Sequence, residues 1–306
     1  MMTTYWKYCT MLIGSLAPSA SKQDIKPTGK ISAAKINEQE KYVEILADNL
    51  CGWADPSQRV ADAIAQGSFV LYAQDIVPLA PGGKVLGREL LVRMQEEEDL
   101  MLPPGAFIPV IEHFNLMPAL DAWIVTHLAR LHRESRIPGG RIDFINVSSV
   151  TLGDMSFRDA AREAINSGGV SAQQLCFEID EVDALTHKDA CCSFVEAIKS
   201  LGCRIAVDHF GKGKISFDLF KLLKIDFIKV DGALILGLAR SRLALTTVGA
   251  IQRVCATVGV QTIAEMVESR EIVNQLREIG IGYAQGFHYS APRSLEQKSL
   301  LAHSIS

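Results

Sequence analysis

The sequence predicts an α/β fold in which parallel β-strands alternate with α-helices around a barrel. Six short apolar runs have the length of a strand, and each is followed by a segment with helical spacing, which is the rhythm of parallel strands joined by helices. Each run ends on a carboxylate, an amide or a lysine: Asn146, Glu178, Asp208, Lys229, Glu265 and Gln285. Because a (β/α) barrel places its functional side chains at the carboxyl ends of its strands, we expect these residues to share one site.

The chain opens with a segment that lacks this strand–helix rhythm. We predict that residues 1–58 form an N-terminal arm and that residues 59–306 form the barrel. Residues 18–30 are rich in Ser, Pro, Lys and Gly, which is typical of a linker, whereas residues 33–50 have the spacing of one amphipathic helix. No sensor module is visible in the sequence, so we expect a protein partner to contact the chain through the arm.

The barrel is predicted to open with a hairpin. A helix through residue 65 is expected to lead into one strand over 69–79, the turn Pro81-Gly82-Gly83 and a second strand over 84–94. A turn this short joins only antiparallel strands, since a parallel pair needs a long crossover connection. The sequence therefore predicts an antiparallel hairpin ahead of the first strand–helix unit.

After the hairpin, helices and strands alternate through the rest of the barrel. The predicted helices lie at 107–134, 156–167, 187–201, 218–223, 242–258 and 269–279. The predicted strands lie near 143–148, 175–180, 204–209, 226–231, 261–266 and 283–287. With 306 residues and a hydrophobic content of 48%, the chain is long enough and apolar enough for one large barrel with a sizeable core.

Charge, hydropathy and cysteine usage exclude several classes of protein. The net charge of −4 provides no basic surface for bulk nucleic-acid binding. No apolar run approaches the roughly 18 residues that a membrane span requires. The seven cysteines show no CxxC spacing, which favours reduced thiols and a cytoplasmic protein.

The side chains at the strand ends indicate metal and phosphate chemistry. Convergent carboxylates with one amide and one lysine are typical of sites where hard divalent cations face a phosphate. Glu89, on the second strand of the hairpin, adds a carboxylate to those of Glu178, Asp208 and Glu265. Four carboxylates brought together would repel one another unless a cation bound between them, so we predict a shared metal site.

Eight short motifs follow one another along the chain and together resemble one protein family. They are ELLVR at 89–93, FIPVIE at 107–112, INVS at 145–148, FEIDE at 177–181, VDHFGKG at 207–213, IKVD at 228–231, AEMVE at 264–268 and AQGF at 284–287. On these motifs residues 59–297 resemble the EAL domain of bacterial cyclic-di-GMP phosphodiesterases. The resemblance implies a modified TIM (β/α)8 barrel that holds two Mg²⁺ or Mn²⁺ ions and hydrolyses cyclic-di-GMP to linear pGpG.

The resemblance also implies which residues bind the two metals and which act on the substrate. The first metal would have four ligands: Glu89, Asn146, Glu178 and Asp208. Asp208 would bridge to the second metal, which Glu265 would also bind. Lys229 would orient the attacking water or stabilise the developing oxyanion, and Glu265 is the candidate general base.

Further residues would contact the substrate or support the site. Leu91 and Arg93 lie on one face of an extended strand, and we expect them and Gln285 to contact the substrate, with Arg93 binding a phosphate. Three acidic residues would hold the neighbouring loops in place: Glu181, Asp231 and Glu268.

The sequence departs from the family pattern directly after Asp208. The family has two consecutive aspartates there, whereas this chain has Asp208-His209, and the following loop contains Lys212 and Lys214. Histidine is itself a good ligand for Mn, Fe or Zn, so His209 is one candidate ligand of the second metal. In the other interpretation the second metal site is lost, and Lys212 and Lys214 bind the phosphates of the dinucleotide directly.

These alternatives lead to different functions. We predict a metal-dependent phosphodiesterase for cyclic-di-GMP that is weakened by the change at His209. The alternative is a catalytically inactive receptor that binds cyclic-di-GMP, and a scaffold that binds no nucleotide is a third hypothesis. Family barrels often pair, so the resemblance also implies a homodimer.

Overall fold

A computed structural model describes residues 55–95, 101–213 and 215–296 of the chain, and they fall into two compact units. Of the described residues, the smaller unit contains 55–70, 92–95 and 101–117, and the larger contains 71–91, 118–213 and 215–296. The helix predicted over 33–50 lies outside the described residues, as do Lys214 and nearly all of the predicted arm. The boundary drawn at residue 58 therefore stays a prediction.

The larger unit is a closed barrel of eight strands. The described residues form these strands in chain order: β1 Phe69–Pro78, β2 Gly87–Gln95, β3 Met101–Leu102, β4 Ile142–Asn146, β5 Leu175–Asp180, β6 Arg204–Phe210, β7 Phe227–Val230, β8 Gln261–Ala264, β9 Tyr283–Ala284 and β10 Arg293–Ser294. Around the barrel the order is β1-β9-β8-β7-β6-β5-β4-β2, and a pairing of β1 with β2 closes the ring. This arrangement confirms the predicted α/β barrel.

The orientation of the strands confirms the opening hairpin. From β2 through β4, β5, β6, β7 and β8 to β9 every neighbouring pair is parallel. Strand β1 is antiparallel to β9, and it is therefore antiparallel to β2 as well. The connection between β1 and β2 is tightened by a hydrogen bond from the Leu86 N–H to the Ile76 carbonyl at 3.0 Å.

Ten helices accompany these strands in the described part of the chain. They are α1 Pro56–Gln66, α2 Pro104–His113, α3 Met117–Arg133, α4 Met155–Asn166, α5 Glu181–Thr186, α6 Lys188–Ser200, α7 Leu219–Leu222, α8 Gly232–Gly237, α9 Arg242–Val258 and α10 Arg270–Ile279. Helix α9 has the predicted bounds because both of its ends carry local signals. The Ser241 side chain accepts from the Ala244 N–H, and Gly259 ends the helix with a φ of 79°. None of the helices in the described ranges is both long and apolar enough to cross a bilayer.

The single helix predicted over 107–134 is wrong. The structure has two helices there, because α2 ends at His113 and α3 begins at Met117. Asn115 adopts a φ of 56°, a left-handed conformation that cannot continue a right-handed helix. The sequence analysis also missed the short helices α5 and α8, which are six residues each and too short to show a helical period.

The smaller unit contains α1, α2 and the short strand β3. Helix α1 begins earlier than predicted because the Asp55 carboxylate accepts from the Gln58 N–H at 3.0 Å and Pro56 occupies the first turn. Helix α1 packs against α2, and β3 pairs with the end of β2 in antiparallel register. Phe69 and Phe107 pack with their ring centroids 5.4 Å apart. This unit therefore has an apolar contact of its own.

Apolar side chains from six strands fill the barrel core. One buried residue comes from each of β1, β4, β5, β6, β7 and β8: Ile76, Phe144, Cys176, Ala206, Phe227 and Ile263. The rings of Phe144 and Phe227 meet at an angle of 64° with centroids 5.3 Å apart, a favourable geometry for two aromatic rings. Because these residues fill the interior, the barrel is packed rather than hollow, and its strands present fixed ends to the site.

Candidate active site

Lys229 on β7 lies at the centre of the four predicted carboxylates. Its side chain is completely buried, and its Nζ lies 3.1 Å from Glu89 Oε2 and 3.1 Å from Glu178 Oε1. The same nitrogen lies 3.3 Å from Asp208 Oδ1 and 3.1 Å from Glu265 Oε1. The structure thus brings together five residues that the sequence analysis had assigned to one site.

Strand register explains why these side chains meet. Asn146 on β4 lies opposite Glu178 on β5, so the two side chains point to the same face of neighbouring parallel strands. Glu265 follows the last residue of β8, and its N–H donates to the Val230 carbonyl at 3.3 Å. The strands end at one rim of the barrel, and their terminal polar residues therefore converge there.

Two amides fix the orientation of Glu89. Asn146 Nδ2 donates to Glu89 Oε1 at 3.0 Å, and Gln285 Nε2 donates to Glu89 Oε2 at 2.7 Å. Gln285 Nε2 also donates to Gln74 Oε1 at 3.0 Å. Gln74 on β1 was missed by the sequence analysis, and the only signal for it was a polar side chain, next to Asp75, within a mostly apolar strand. Together the amides hold Glu89 in one rotamer.

His209 joins the site through an irregularity in β6. Register pairing between β6 and β7 shifts between Val207 and Phe210, and His209 has a φ of 53°. His209 Nδ1 lies 3.0 Å from Asp208 Oδ2 and 3.4 Å from Asp180 Oδ2. Ligand atoms of Asp208, His209 and Glu265 lie within 4.8 Å of one another. The consecutive residues Asp208 and His209 therefore both face the site.

The pKa values in the cluster indicate an excess of negative charge. Burial raises the pKa of Glu178 well above its usual value, and the neighbouring carboxylates add to this effect against Lys229. Burial and Asp208 likewise raise the pKa of Glu265 to about 7. A carboxyl group whose pKa rises in this way binds a proton more readily, and a divalent cation would relieve the same repulsion.

The two cationic residues respond in the opposite way. Burial lowers the pKa of Lys229, but the surrounding carboxylates, Asp208 first, raise it well above its usual value. Burial also lowers the pKa of His209, yet Asp208 and Asp180 raise it to about 11. Asp208 remains ionised because His209 and Lys229 lower its pKa by more than burial raises it. The carboxylates therefore favour the protonated forms of Lys229 and His209, and a metal ion bound by the His209 imidazole would have to displace a proton from it.

The donor set fits divalent cations. Four carboxylates and the Asn146 amide are hard oxygen ligands, which suit Mg²⁺ and Mn²⁺. Oε2 of Glu265 is buried and accepts no hydrogen bond from the described residues, whereas Oε1 of Glu265 and Oε1 of Glu178 each lie 3.1 Å from Lys229 Nζ. Oε2 of Glu265 is therefore available to a metal, and the imidazole of His209 adds a nitrogen ligand that suits Mn, Fe or Zn.

The residues predicted to support the loops differ in their placement. Glu181 Oε2 accepts from the Gly211 N–H at 2.9 Å, which ties the loop after β6 to α5. Asp231 caps α8 by accepting from the Ala233 N–H at 3.0 Å. Glu268 is exposed, and among the described residues it has no hydrogen bond or ion pair. The loop-anchoring role predicted for Glu268 therefore stays a prediction.

The predicted substrate contacts receive less support from the geometry. Leu91 is half-buried in the larger unit. Arg93 belongs to the smaller unit, where its Nη1 donates to the Val92 carbonyl at 2.8 Å. Lys212 is exposed, and its backbone N–H donates to the His209 carbonyl at 3.2 Å. Contact between these side chains and a substrate stays a prediction.

Comparison with known proteins finds relatives that all point to one family. The family model described as the EAL domain matches residues 57–292. The chain is 32% identical over 238 residues to the cyclic di-GMP phosphodiesterase PdeB of Shewanella oneidensis, an alignment that covers 78% of this chain and 28% of that protein. It is 30% identical over 267 residues to the cyclic di-GMP phosphodiesterase PdeF of Escherichia coli, covering 87% of this chain and 35% of that protein.

Solved structures share the fold. The PaMucR phosphodiesterase in its c-di-GMP complex matches with a TM-score of 0.71 at 26% identity, covering 78% of this chain and 98% of that chain. The FimX EAL domain from Pseudomonas aeruginosa bound to c-di-GMP matches with a TM-score of 0.72 at 23% identity, covering 78% and 96%. The chain spans only 28% and 35% of the length of the two curated relatives. Because the family model matches most of its residues, the chain belongs to the EAL domain family.

Proposed function

We propose that this chain is a metal-dependent phosphodiesterase that hydrolyses cyclic-di-GMP to linear pGpG. The observation that carries the proposal is the convergence of four buried carboxylates and one amide around Lys229. The curated relatives named cyclic di-GMP phosphodiesterases and the solved phosphodiesterase complex with c-di-GMP support the same substrate. Because the chain covers only part of those relatives, substrate and activity are proposed here for this barrel alone.

Two sets of side chains would hold Mg²⁺ or Mn²⁺. The first set comprises four residues: Glu89, Asn146, Glu178 and Asp208. The second set comprises Asp208, His209 and Glu265, whose ligand atoms cluster within 4.8 Å. A bound pair of such ions activates a water molecule and neutralises charge on the reacting phosphate.

The side chains of the protein supply positioning and proton transfer. The Lys229 ammonium, held by four carboxylates, is placed to donate a hydrogen bond to the attacking water or to the developing oxyanion. Glu265 is the group placed to accept a proton, since its Oε2 accepts no hydrogen bond from the described residues and Lys229 pairs with the other oxygen, Oε1. Gln285 keeps Glu89 oriented through its 2.7 Å hydrogen bond.

His209 is expected to weaken catalysis. A neutral imidazole carries no negative charge where the family pattern has a second aspartate, so the second site attracts a dication less strongly. One unit charge at 4 Å contributes about 4 kcal/mol at an effective dielectric near 20, which is enough to change metal affinity strongly. We therefore propose a slower enzyme than a relative with two aspartates.

A cyclic-di-GMP receptor without catalysis is the second candidate function. Two protonated side chains, Lys229 and His209, already compensate much of the carboxylate charge. The exposed Lys212, on the loop directly after His209, would then bind a phosphate of the dinucleotide. In this case the nucleotide binds but is not hydrolysed.

One assay separates these functions. Purified protein is incubated with cyclic-di-GMP and excess Mn²⁺ or Mg²⁺, and chromatography detects pGpG. Product that is lost in Glu89→Gln, with circular dichroism unchanged, would support the enzyme, and His209→Asp should then raise turnover with Mg²⁺. Intact nucleotide recovered on the protein would favour the receptor, and absence of both binding and product would contradict both functions.

The cytoplasmic location, the homodimer and a protein partner for residues 1–58 stay predictions. No contact among the described residues bears on any of these three predictions. Sedimentation of the full chain with and without cyclic-di-GMP would test the homodimer.

A further inference from the structure

Met266 has a left-handed backbone directly after Glu265. Its φ is 51°, a conformation that glycine and asparagine adopt readily and a bulky apolar residue rarely does. On one side the Glu265 N–H donates to the Val230 carbonyl at 3.3 Å, and on the other the Val267 N–H donates to the Gln285 carbonyl at 3.0 Å. These bonds to β7 and to the end of β9 impose the conformation. Backbone strain of this kind is found mainly at functional sites, so the Met266 side chain is a candidate for a role in the reaction.

The described residues include four residues other than glycine with a positive φ. Asn115 and Ser135 lie in the loops that follow α2 and α3, and both are small polar residues. His209 and Met266 lie at the rim where the strands of the barrel end. Met266 is the one apolar residue of the four, which makes its conformation the hardest to explain by local preference.

The Met266 side chain lies over Gly232, the first residue of α8. A Cβ built on Gly232 would lie 2.3 Å from Met266 Sδ and 2.6 Å from its Cγ, so the side chain fills the space that the glycine leaves open. Gly232 comes three residues after Lys229, whose Nζ lies 3.1 Å from Glu265 Oε1. Met266 is half-buried and keeps part of its surface in solvent. Its thioether therefore lines the rim between the ends of β7 and β8, beside the two groups proposed for proton transfer and charge stabilisation.

We infer that Met266 is a specificity-determining residue whose thioether packs against the face of a purine base of the bound dinucleotide. The residues proposed to bind metal and to transfer protons are acidic, amide or cationic, and they offer no apolar surface to a base. Methionine sulfur makes favourable contacts with aromatic rings, and the unbranched side chain adapts to their shape. The inference rests on the cyclic-di-GMP substrate of the proposed function.

The variant Met266→Gly should affect stability and nucleotide affinity differently. Glycine adopts the left-handed conformation without strain, so the melting temperature should not fall. The KM for cyclic-di-GMP with Mn²⁺ should rise by about 2–10-fold, the size of a lost sulfur–aromatic contact, and kcat should change less. If the protein binds the nucleotide without hydrolysing it, calorimetric titration should show the same change in Kd. A lower melting temperature with an unchanged KM or Kd would mean that Met266 serves packing alone and would overturn the inference.

The conservative variant Met266→Leu keeps an apolar side chain of similar volume at the same position. Leucine at a φ of 51° carries the same backbone strain as methionine, so strain alone does not distinguish the two proteins. The KM of Met266→Leu should lie closer to that of the unmodified protein than to that of Met266→Gly. A KM as high as that of Met266→Gly would contradict an apolar contact with the base.

The matched control is Ser135→Gly, which relieves a φ of 55° away from the rim. Ser135 is exposed, and its loop leads into the amino end of β4, whereas the rim lies at the carboxyl ends of the strands. The melting temperature should not fall in this variant, and the KM should equal that of the unmodified protein. An equal rise in KM in both glycine variants would mean that relief of strain itself weakens binding, and it would overturn the role of the Met266 side chain.

The variant Gly232→Ala displaces the thioether without removing it. Its added Cβ would meet Met266 Sδ, so the melting temperature should fall and the KM should rise. Combining Gly232→Ala with Met266→Gly removes the clash, and the double variant should recover the melting temperature but not the KM. A lower melting temperature with an unchanged KM in Gly232→Ala would overturn the inference, and this variant decides it even where Met266→Gly fails to fold.

Failure of the inference and failure of the proposed function give different results. An unmodified protein that neither binds nor hydrolyses cyclic-di-GMP would contradict both. The same KM or Kd in the unmodified protein and in Met266→Gly would overturn the inference and leave the proposed function standing. Weaker affinity in Met266→Gly that is recovered in Met266→Leu and absent in Ser135→Gly would support both.

Discussion

Replacing Asp121 by asparagine should change how protein stability depends on pH. Asp121 lies on α3 and is completely buried. Its Oδ2 accepts from the Ser148 N–H at 3.0 Å and from Thr151 Oγ1 at 2.7 Å, which holds the loop after Asn146. Its Oδ1 is buried and accepts no hydrogen bond from the described residues. The hydrogen bonds therefore offset only part of the cost of burying the charged carboxylate.

The size of the pH-dependent contribution to stability follows from the pKa of Asp121. Burial raises the pKa of Asp121 from 3.8 to about 6, against the hydrogen bonds from Thr151 and Ser148. At 1.36 kcal/mol per pKa unit, this shift corresponds to about 3 kcal/mol. Because the pKa is raised, the folded protein binds the proton more tightly than the unfolded chain does. The contribution to stability is present below about pH 4 and is lost as the pH rises through about 6.

The amide introduced by Asp121→Asn does not titrate, so the variant lacks this pH dependence. We expect the free energy of unfolding of Asp121→Asn, relative to the unmodified protein, to rise by about 2–3 kcal/mol between about pH 4 and pH 7.5. Urea unfolding across this range, with EDTA to remove metal binding, measures the difference. Titrations of distant groups cancel in the comparison.

The control is Asp154→Asn, which changes the N-cap of α4 and for which the pH dependence of stability has the opposite sign. Hydrogen bonds with Ser156 lower the pKa of Asp154, so its contribution to stability is present above the unfolded pKa and is lost as the pH falls. If the pH profiles of Asp121→Asn and the unmodified protein ran parallel, the reasoning about Asp121 would be refuted.

Lys229→Met should lower the melting temperature in EDTA, because it removes the ammonium from between four buried carboxylates. Removing one partner of a buried ion pair lowers the free energy of unfolding by about 3–5 kcal/mol. Added Mn²⁺ should then raise the melting temperature more than in the unmodified protein, and equal melting temperatures in EDTA would contradict the central role of this cation. Gly286→Ala should also destabilise the protein, since a Cβ there would lie 2.3 Å from the backbone N and O of Val267, and overpacking of this kind costs about 1–3 kcal/mol. Gly213→Ala, where a Cβ would meet nothing within 4 Å, should keep the melting temperature of the unmodified protein. Scanning calorimetry measures both glycine variants, and an equal fall in melting temperature in the two would contradict the clash at Gly286.

Local pattern was sufficient for most elements of the barrel and failed where a single residue changed the chain direction. Helix α9 matches its prediction because Ser241 and Gly259 mark its two ends within the sequence itself. The prediction over 107–134 merged two helices because Asn115 interrupts an otherwise continuous apolar spacing. Asparagine does not require a left-handed backbone, so its conformation was not readable from the sequence.

The sequence by itself determined the α/β barrel and the identity of the central carboxylates. Apolar runs that end on Glu178, Asp208 or Glu265 show their strand ends locally, and barrel topology then requires the ends to converge. Only the tertiary structure decided what each side chain contacts. Lys229 and Glu89 are 140 residues apart in sequence, and Gln285 and Gln74 are 211 apart.

The placement of Asp180 beside His209 shows the physical reason for this division. Strand and helix formation depends on neighbours within a few residues, which a sequence pattern records directly. Side-chain contacts across strands depend on register, and here on a bulge that turns two consecutive residues of β6 toward one site. Register and bulge are set by the packing of the whole barrel, so the partners of His209 became visible only in the folded chain.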